Sequence, residues 1–391
     1  MTKLLNSDPV PGVGAPAEAV ERVRRVSLRP AGSVVTGDVV RLNMGEPDFD
    51  TPQPIIDAAV QALAQGYTHY VDLNGDPELR ALIAGQAGAL SGREVNPDQV
   101  LISHGGAAGI TSTILATVNP GDRVIIPEPT YSLYVDAVAL AGGVPVQVPN
   151  RADHHLDLAA IDREVRQGAA LITICNPVNP TGAVFSGAEL AALGELLQGT
   201  DTLVMVDEAY ANLIYSDEPF TCALAVPELA GRLVYVQTLS KTYAMTGWRI
   251  GYVIAEPVVA EAIRLVHRTF NSAVNAAVQR AAITALTSGD EFTAPMRHTY
   301  AARRDLVLEL VDAIPGASMV VPEGAFYAFV RYPGNRPSTQ VAALLAQHGV
   351  IVRAGAEYGP SGEGHVRLSF AAEPQVLREG LRRMGEVFAS L

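Results

Sequence analysis

The sequence predicts an α/β fold: a large domain with a mostly parallel open sheet covered by helices, plus a smaller α+β domain built from the N- and C-terminal parts. Three observations carry this. Leu171-Ile-Thr-Ile-Cys175 and Leu203-Val-Met-Val206 are continuous apolar runs without alternation, as expected of parallel strands buried on both faces. Helical stretches separate such runs, and polar or Gly-rich segments follow their C-terminal ends, which places a cleft along those ends. From about Asp290 the pattern changes to a long helix, two strand-like runs and a terminal helix.

Composition bounds the rest. With 391 residues and 48% hydrophobic content, the chain can bury a large core and is long enough for two domains. Lys+Arg 28 against Asp+Glu 41 gives a net charge of -13, which opposes general attraction to nucleic acid or an anionic membrane. Any bound anion must be held by local groups. The two cysteines, Cys175 and Cys222, supply neither a disulfide framework nor metal-ligand spacing, and a reducing cytoplasm fits best. No apolar run is long enough to span a bilayer, the N-terminus lacks an apolar signal core, and no internal repeat is present.

Taken in order, residues 1–17 are rich in Pro, Gly and Ala and are expected to form a mobile arm. Residues 18–50 and 290–391 are expected to make the small domain, and 51–289 the large one. The basic segment Glu21–Arg25 reads as a solvated helix face. Val39–Asn43 is a short strand, and the loop Met44–Pro52 follows, with Gly45 allowing close backbone approach to a ligand. A helix from about Pro54 to Gln65 precedes the loop Tyr67–Gly75. Pro77 then opens a helix through Glu78–Ala89.

Val100–Ser103 reads as a strand leading through Gly105-Gly106-Ala107 into a helix over Ile110–Val118. A strand, tight turn and helix N-terminus together form an anion site, although Gly-Gly alone serves close helix packing as often. Further strands are Asp122–Pro127, which delivers Glu128-Pro-Thr-Tyr131, and Leu171–Cys175, which ends in Asn176-Pro-Val-Asn-Pro-Thr-Gly182. Leu203–Asp207 follows, and then Leu233–Gln237 and Ile250–Ile254. The last part reads as a helix from Pro295 to about Ala313, strands Ala325–Val330 and Gly364–Phe370, and a helix Pro374–Ala389.

Lys241 lies between the runs Leu233–Gln237 and Ile250–Ile254. An amine projecting from such a connection into a cleft can form a Schiff base once burial or neighbouring cations lower its pKa. Arg249, Thr238 and Ser240 offer the planar cation and hydroxyls that a phosphate monoester needs. A Schiff-base lysine beside a phosphate clamp points to pyridoxal phosphate. A Ser-Lys pair by itself is commonplace in solvated loops.

Five segments in order resemble the fold-type I, class I aminotransferases, in particular the bacterial aspartate and aromatic aminotransferase-like group. They are Gly45–Pro52, Asn176–Gly182, Asp207-Glu-Ala-Tyr210, Ser240–Gly251 and Arg367-Leu-Ser-Phe370, and the likeness runs from about Val39 to the C-terminus. The resemblance implies pyridoxal 5'-phosphate as cofactor, with Lys241, Asp207 and Tyr210 as catalytic residues. Lys241 would bind the cofactor covalently and shuttle the proton, and Asp207 would pair with the ring nitrogen. Tyr210 and Asn179 would bond the ring's phenolate oxygen, and Tyr131 would stack on the ring. Thr238, Ser240 and Arg249, with backbone groups of Gly105, Gly106 and Ala107, would hold the phosphate. Arg367, helped by Asn179 and the backbone at Gly45, would take the substrate's α-carboxylate. Tyr70 would reach the neighbouring site of a homodimer. Tyr131 and Tyr210 could otherwise be core aromatics and Arg367 a surface ion pair, while His69, His104 and His365 receive no role.

The implied function is ping-pong transamination between an amino acid and a 2-oxo acid in the cytoplasm, with no nucleic acid or membrane partner. A lyase, cyclase or oxidase of the same fold is the alternative. An effector-sensing module of a transcription regulator ranks last, since the extension before Val39 is too short for a DNA-binding domain. Some acid-specific members of the group carry a lysine after the Gly-Gly, where this chain has Ala107. That disfavours aspartate as the best donor, unless an arginine from the partner chain replaces the lysine, and leaves neutral, aromatic or basic side chains open.

Overall fold

The computed structural model describes residues 14–29, 37–216 and 218–391. Residues 1–13, most of the expected arm, lie outside them. The strands described in chain order are β1 (Val40–Arg41), β2 (Val100–Ser103), β3 (Arg123–Glu128), β4 (Val144–Pro149), β5 (Leu171–Cys175), β6 (Leu203–Asp207), β7 (Leu233–Thr238), β8 (Gly251–Ile254), β9 (Tyr327–Arg331), β10 (Val350–Ile351), β11 (Arg353–Ala354) and β12 (His365–Ser369). The large domain is built on a seven-stranded sheet ordered β2-β8-β7-β6-β5-β3-β4. Only β8 runs against its neighbours, β2 and β7.

The continuous apolar runs are explained by two cores, one on each face of this sheet. Because successive side chains of a strand point to opposite faces, Val124 and Met205 enter one core, while Ile125, Val204 and Val206 enter the other. Helices Gly105–Thr117, Leu133–Ala141 and Pro257–Asn271 cover the first face through Ile114, Tyr134, Val138 and Ile263. Helices Pro77–Ser91, Leu158–Val165 and Gly187–Leu196 cover the second through Ile83, Ile161 and Leu193. The helix Glu18–Val26 buries none of its own residues, and Arg22 Nε donates to the Ala139 carbonyl 3.0 Å away.

The smaller domain holds a three-stranded antiparallel sheet, β11-β12-β9, and a parallel pair of β1 with β10. Val40 and Leu42 share a core with Tyr300, Phe326, Leu368 and Leu377, so the segment around β1 joins the C-terminal part there. Asp48 joins the long helix Thr293–Asp312 through Arg303, 2.8 Å away, and so ties the N-terminal loop to this core.

Among the differences from the sequence reading, two have a direct physical cause. The helix expected to start at Ile110 begins at Gly105, so the glycines form its first turn. Glycine is a poor helix former, but a Cβ at Gly109 would lie 2.9 Å from Val253 of β8, so close packing on the sheet requires it. The edge strand β4 is absent from the sequence reading, and Pro145 and Pro149 stand within it. It pairs only with β3, and proline is tolerated on an edge.

Candidate active site

Between β7 and β8 the chain makes one helical turn, Leu239–Thr242, which carries Lys241. Thr238 caps the turn by accepting from the Ser240 N–H at 3.2 Å, and its hydroxyl donates to Ser240 Oγ at 2.9 Å. Lys241 Nζ donates to the Gly45 carbonyl. A Cβ at Gly45 would overlap Tyr327 Oη, so only glycine allows this backbone to sit against the amine. Burial pushes the Lys241 amine down to about 8, with Arg249 and Arg367 acting the same way and Glu46 and Asp207 opposing them.

Asp207 ends β6 and is buried. Its carboxylate accepts from Tyr134 Oη at 2.9 Å and from the Ala209 N–H at 3.2 Å. Burial nevertheless lifts its pKa to about 6, because those bonds and the Lys241 charge offset desolvation only in part. Tyr210 shares a 2.7 Å hydrogen bond with Tyr327, and burial raises its phenol well above the usual value.

Opposite Asp207, Gly106 and Ala107 lie in the first turn of the helix Gly105–Thr117, where backbone N–H groups have no intrahelical acceptor. Arg249 faces them from just before β8 in a left-handed conformation, φ 54°, that a residue of this kind rarely adopts. Its Nη1 donates to the Thr246 carbonyl at 2.8 Å. A Cβ on Gly105 would stand 2.7 Å from Arg249 Nη2, and one on Gly251 would stand 2.6 Å from the Gln237 carbonyl.

Arg367 projects from β12 and is buried. Its Nη1 donates to Asn179 Oδ1 at 3.3 Å and its Nη2 to the Asn43 carbonyl at 2.5 Å, with the Tyr327 ring 4.4 Å from the guanidinium carbon. Its Nε is buried without a hydrogen-bond partner among the described residues.

These groups line one cavity of about 330 Å³. It is lined by Gly45, Gly106, Ala107, Tyr131, Asn179, Asp207, Tyr210, Thr238, Ser240, Lys241, Arg249 and Arg367. Gly105 lies just outside, beneath Arg249. Tyr70 is elsewhere: it is 94% exposed and belongs to a separate groove with Leu63, His69 and Ala273. His104 stacks on the buried His267, and His365 stacks on Phe329, and neither lines this cavity.

Sequence reasoning missed Tyr134, Tyr327, Arg353 and Glu357. Tyr134 reaches Asp207 from a helix, and Arg353 stands opposite Arg367 only through the β11–β12 register. Neither lies in a motif segment, so no local signal marks them.

The donor set fits pyridoxal phosphate. A turn of free N–H groups with Thr238, Ser240 and Arg249 suits a phosphate dianion, and the same cavity holds a buried carboxylate that suits a cationic ring nitrogen and an amine of lowered pKa. The buried Arg367 Nε, left without a partner, suits a substrate carboxylate.

Comparison with known proteins leads to the same place. The family described as aminotransferase class I and II matches residues 37–384. The chain is 35% identical over 363 residues to the arginine–pyruvate transaminase of Pseudomonas aeruginosa, covering 90% of this chain and 91% of that one. It is 35% identical over 370 residues to the aspartate/prephenate aminotransferase of Cereibacter sphaeroides, covering 90% and 92%. The solved aromatic aminotransferase of Pyrococcus horikoshii OT3 superposes with a TM-score of 0.88 at 33% identity, over 95% of this chain and 99% of that one. The chain therefore belongs to the class I and II aminotransferases of fold type I, pyridoxal-phosphate enzymes that move an amino group between an amino acid and a 2-oxo acid.

Proposed function

We propose that this transfer takes place in the cavity around Lys241 in two half-reactions, the first oxo acid leaving before the accepting oxo acid enters. When bound, pyridoxal phosphate supplies a carbonyl carbon that takes up the amino group and a ring that withdraws electrons from the substrate's α-carbon. Gly105, Gly106, Ala107, Thr238, Ser240 and Arg249 would hold its phosphate, Asp207 its ring nitrogen, Asn179 and Tyr210 its phenolate oxygen, and Tyr131 its face. Arg367 fixes the substrate by its α-carboxylate, with Asn179 and the backbone at Gly45 shaping the pocket. Lys241 Nζ would take up the proton released at the substrate's α-carbon and give it back to complete the transfer. An amine near 8 holds both protonation states near neutral pH, which suits that exchange.

The observation that carries this reading is the convergence of Asp207 from β6, Lys241 and Arg249 from the β7–β8 connection, and Arg367 from β12 on one cavity. We read the active form as a homodimer in which Tyr70 serves the neighbouring site. Its exposure, and that of Leu63 and Val60 nearby in sequence, supports a covered face. Two free cysteines suit a cytoplasmic enzyme. The domain boundaries 18–50 with 290–391, and 51–289, go with this reading.

Lys241→Ala tests it. The parent protein, treated with borohydride in the presence of pyridoxal phosphate, should gain one pyridoxyl mass at Lys241 and should transaminate members of an amino acid panel with 2-oxoglutarate. Capture by cofactor-stripped protein should speed up as pH rises through about 8, because the neutral amine is the nucleophile. The variant should lose both properties. Near-normal turnover in Lys241→Ala would rule the assignment out.

A further inference from the structure

Arg353 on β11 is the direct cross-strand partner of Arg367 on β12. In an antiparallel pair, opposite residues project to the same face, and like charges placed there repel each other. Both side chains line the cavity that contains Lys241. Such a pair repels unless a carboxylate or a bound anion offsets it, and an anion in the space in front of it would be held by both charges.

Glu357 bears on what those anions are. Its Oε2 stands 3.3 Å from Arg353 Nη1, and its Oε1 accepts from the Ala354 N–H at 3.1 Å. Both oxygens are engaged, so a cationic substrate side chain would have to displace Arg353 to reach them. The guanidinium, in contrast, has five N–H donors, and Glu357 is its one ionic partner among the described residues. It is 39% exposed, whereas Glu357 is 11% exposed. Glu357 therefore steadies an arginine whose remaining donors are open to the cavity. Arg29 enters the same cavity, anchored by a 3.0 Å bond to Ser132 and lying 3.6 Å from Asp136. Ala107 adds no charge at the position where a lysine could have served.

We infer that Arg353 is a specificity-determining residue, which receives a second acidic group while Arg367 holds the α-carboxylate, so that the site takes dicarboxylic substrates in at least one half-reaction. This rests on the site reading given above. The structural assignment places the distal anion on the strand pair that carries Arg367, and not on the first turn of the helix Gly105–Thr117.

The test compares holoenzyme of the parent, Arg353→Gln and Arg353→Lys. The readouts are kcat/KM for 2-oxoglutarate relative to pyruvate, and calorimetric binding of glutarate relative to butyrate, which cannot react. In the parent, the dicarboxylate should be favoured in both. In Arg353→Gln, each ratio should fall about 10- to 100-fold, as for loss of a charge-assisted hydrogen bond, with the kinetic loss mainly in KM. Arg353→Lys should recover part of it, since the charge remains but the fork does not. A parent that prefers the monocarboxylates, or ratios that stay within about 2-fold in Arg353→Gln while cofactor absorbance and melting temperature match the parent, would overturn the inference and leave the aminotransferase site standing. Should the parent transaminate neither oxo acid with any donor, the site reading fails first, and this inference with it.

Discussion

At the scale of single residues, the site holds two groups away from their ordinary protonation, and both shifts come first from burial. Asp207 is lifted to about 6 in the folded chain against 3.8 in water, so folding disfavours its charged form. The destabilisation is complete above about pH 6 and absent below about pH 4, and between these limits stability falls as pH rises. Asp207→Asn should therefore make cofactor-stripped protein more stable near pH 7.5, by on the order of 3 kcal/mol from the size of the shift, and leave it unchanged near pH 4. Urea denaturation at the two pH values measures this. The same variant should lose about 10²-fold or more in the rate of a half-reaction, since a neutral amide cannot balance a cationic ring nitrogen. Equal stability of parent and variant at both pH values would show that Asp207 is not held against its charge. An unchanged half-reaction in stopped flow would remove it from the chemistry.

At the scale of elements, the phosphate-facing corner depends on how closely the first turn of the helix Gly105–Thr117 approaches β7 and β8. Gly251 is the tightest point, since a Cβ there would meet the Gln237 carbonyl at 2.6 Å and the Gly105 carbonyl carbon at 3.0 Å. Both atoms are backbone and cannot turn away. Gly251→Ala should cost about 1–3 kcal/mol as an overpacking change and should weaken pyridoxal phosphate binding by about 10-fold or more, because Arg249 and the turn shift together. Gly247→Ala is the control, with nothing within 4 Å of its Cβ. Fluorescence titration of cofactor into stripped protein separates the two variants. If Gly251→Ala binds as tightly as the control, the corner is not the anion site.

At the scale of the whole molecule, a single chain brings together every side chain assigned to the site except Tyr70. The active form should therefore be a dimer with two equivalent shared sites, as two-fold symmetry places the same patch on both chains. Tyr70→Phe and Lys241→Ala should each be strongly impaired. When they are mixed under conditions of subunit exchange, one site of each mixed dimer should regain both residues, and activity should rise above either parent variant. Activity that stays flat after exchange is demonstrated by mass spectrometry would place Tyr70 in its own chain.

Much of this protein was legible in its residues alone. The apolar runs pointed to a sheet buried on both faces, because no charged side chain interrupts Leu171–Cys175 or Leu203–Val206. Lys241 with Thr238, Ser240 and Arg249 announced a Schiff-base and phosphate chemistry, since these residues are near neighbours in sequence and local geometry holds them together. What sequence could not determine depends on contacts between distant segments. The helix Gly105–Thr117 packs on Val253 of β8 at Gly109, and the edge strand β4 is held by pairing with β3 despite its prolines. Tyr134 bonds Asp207 across 73 positions, and Arg353 faces Arg367 only because β11 and β12 pair in one register. Register is a property of the folded sheet, where a slip of one residue would turn Arg353 to the opposite face. The chemistry of the site was thus written in short segments, whereas the charge that meets the rest of the substrate was decided by how two strands of the smaller domain align.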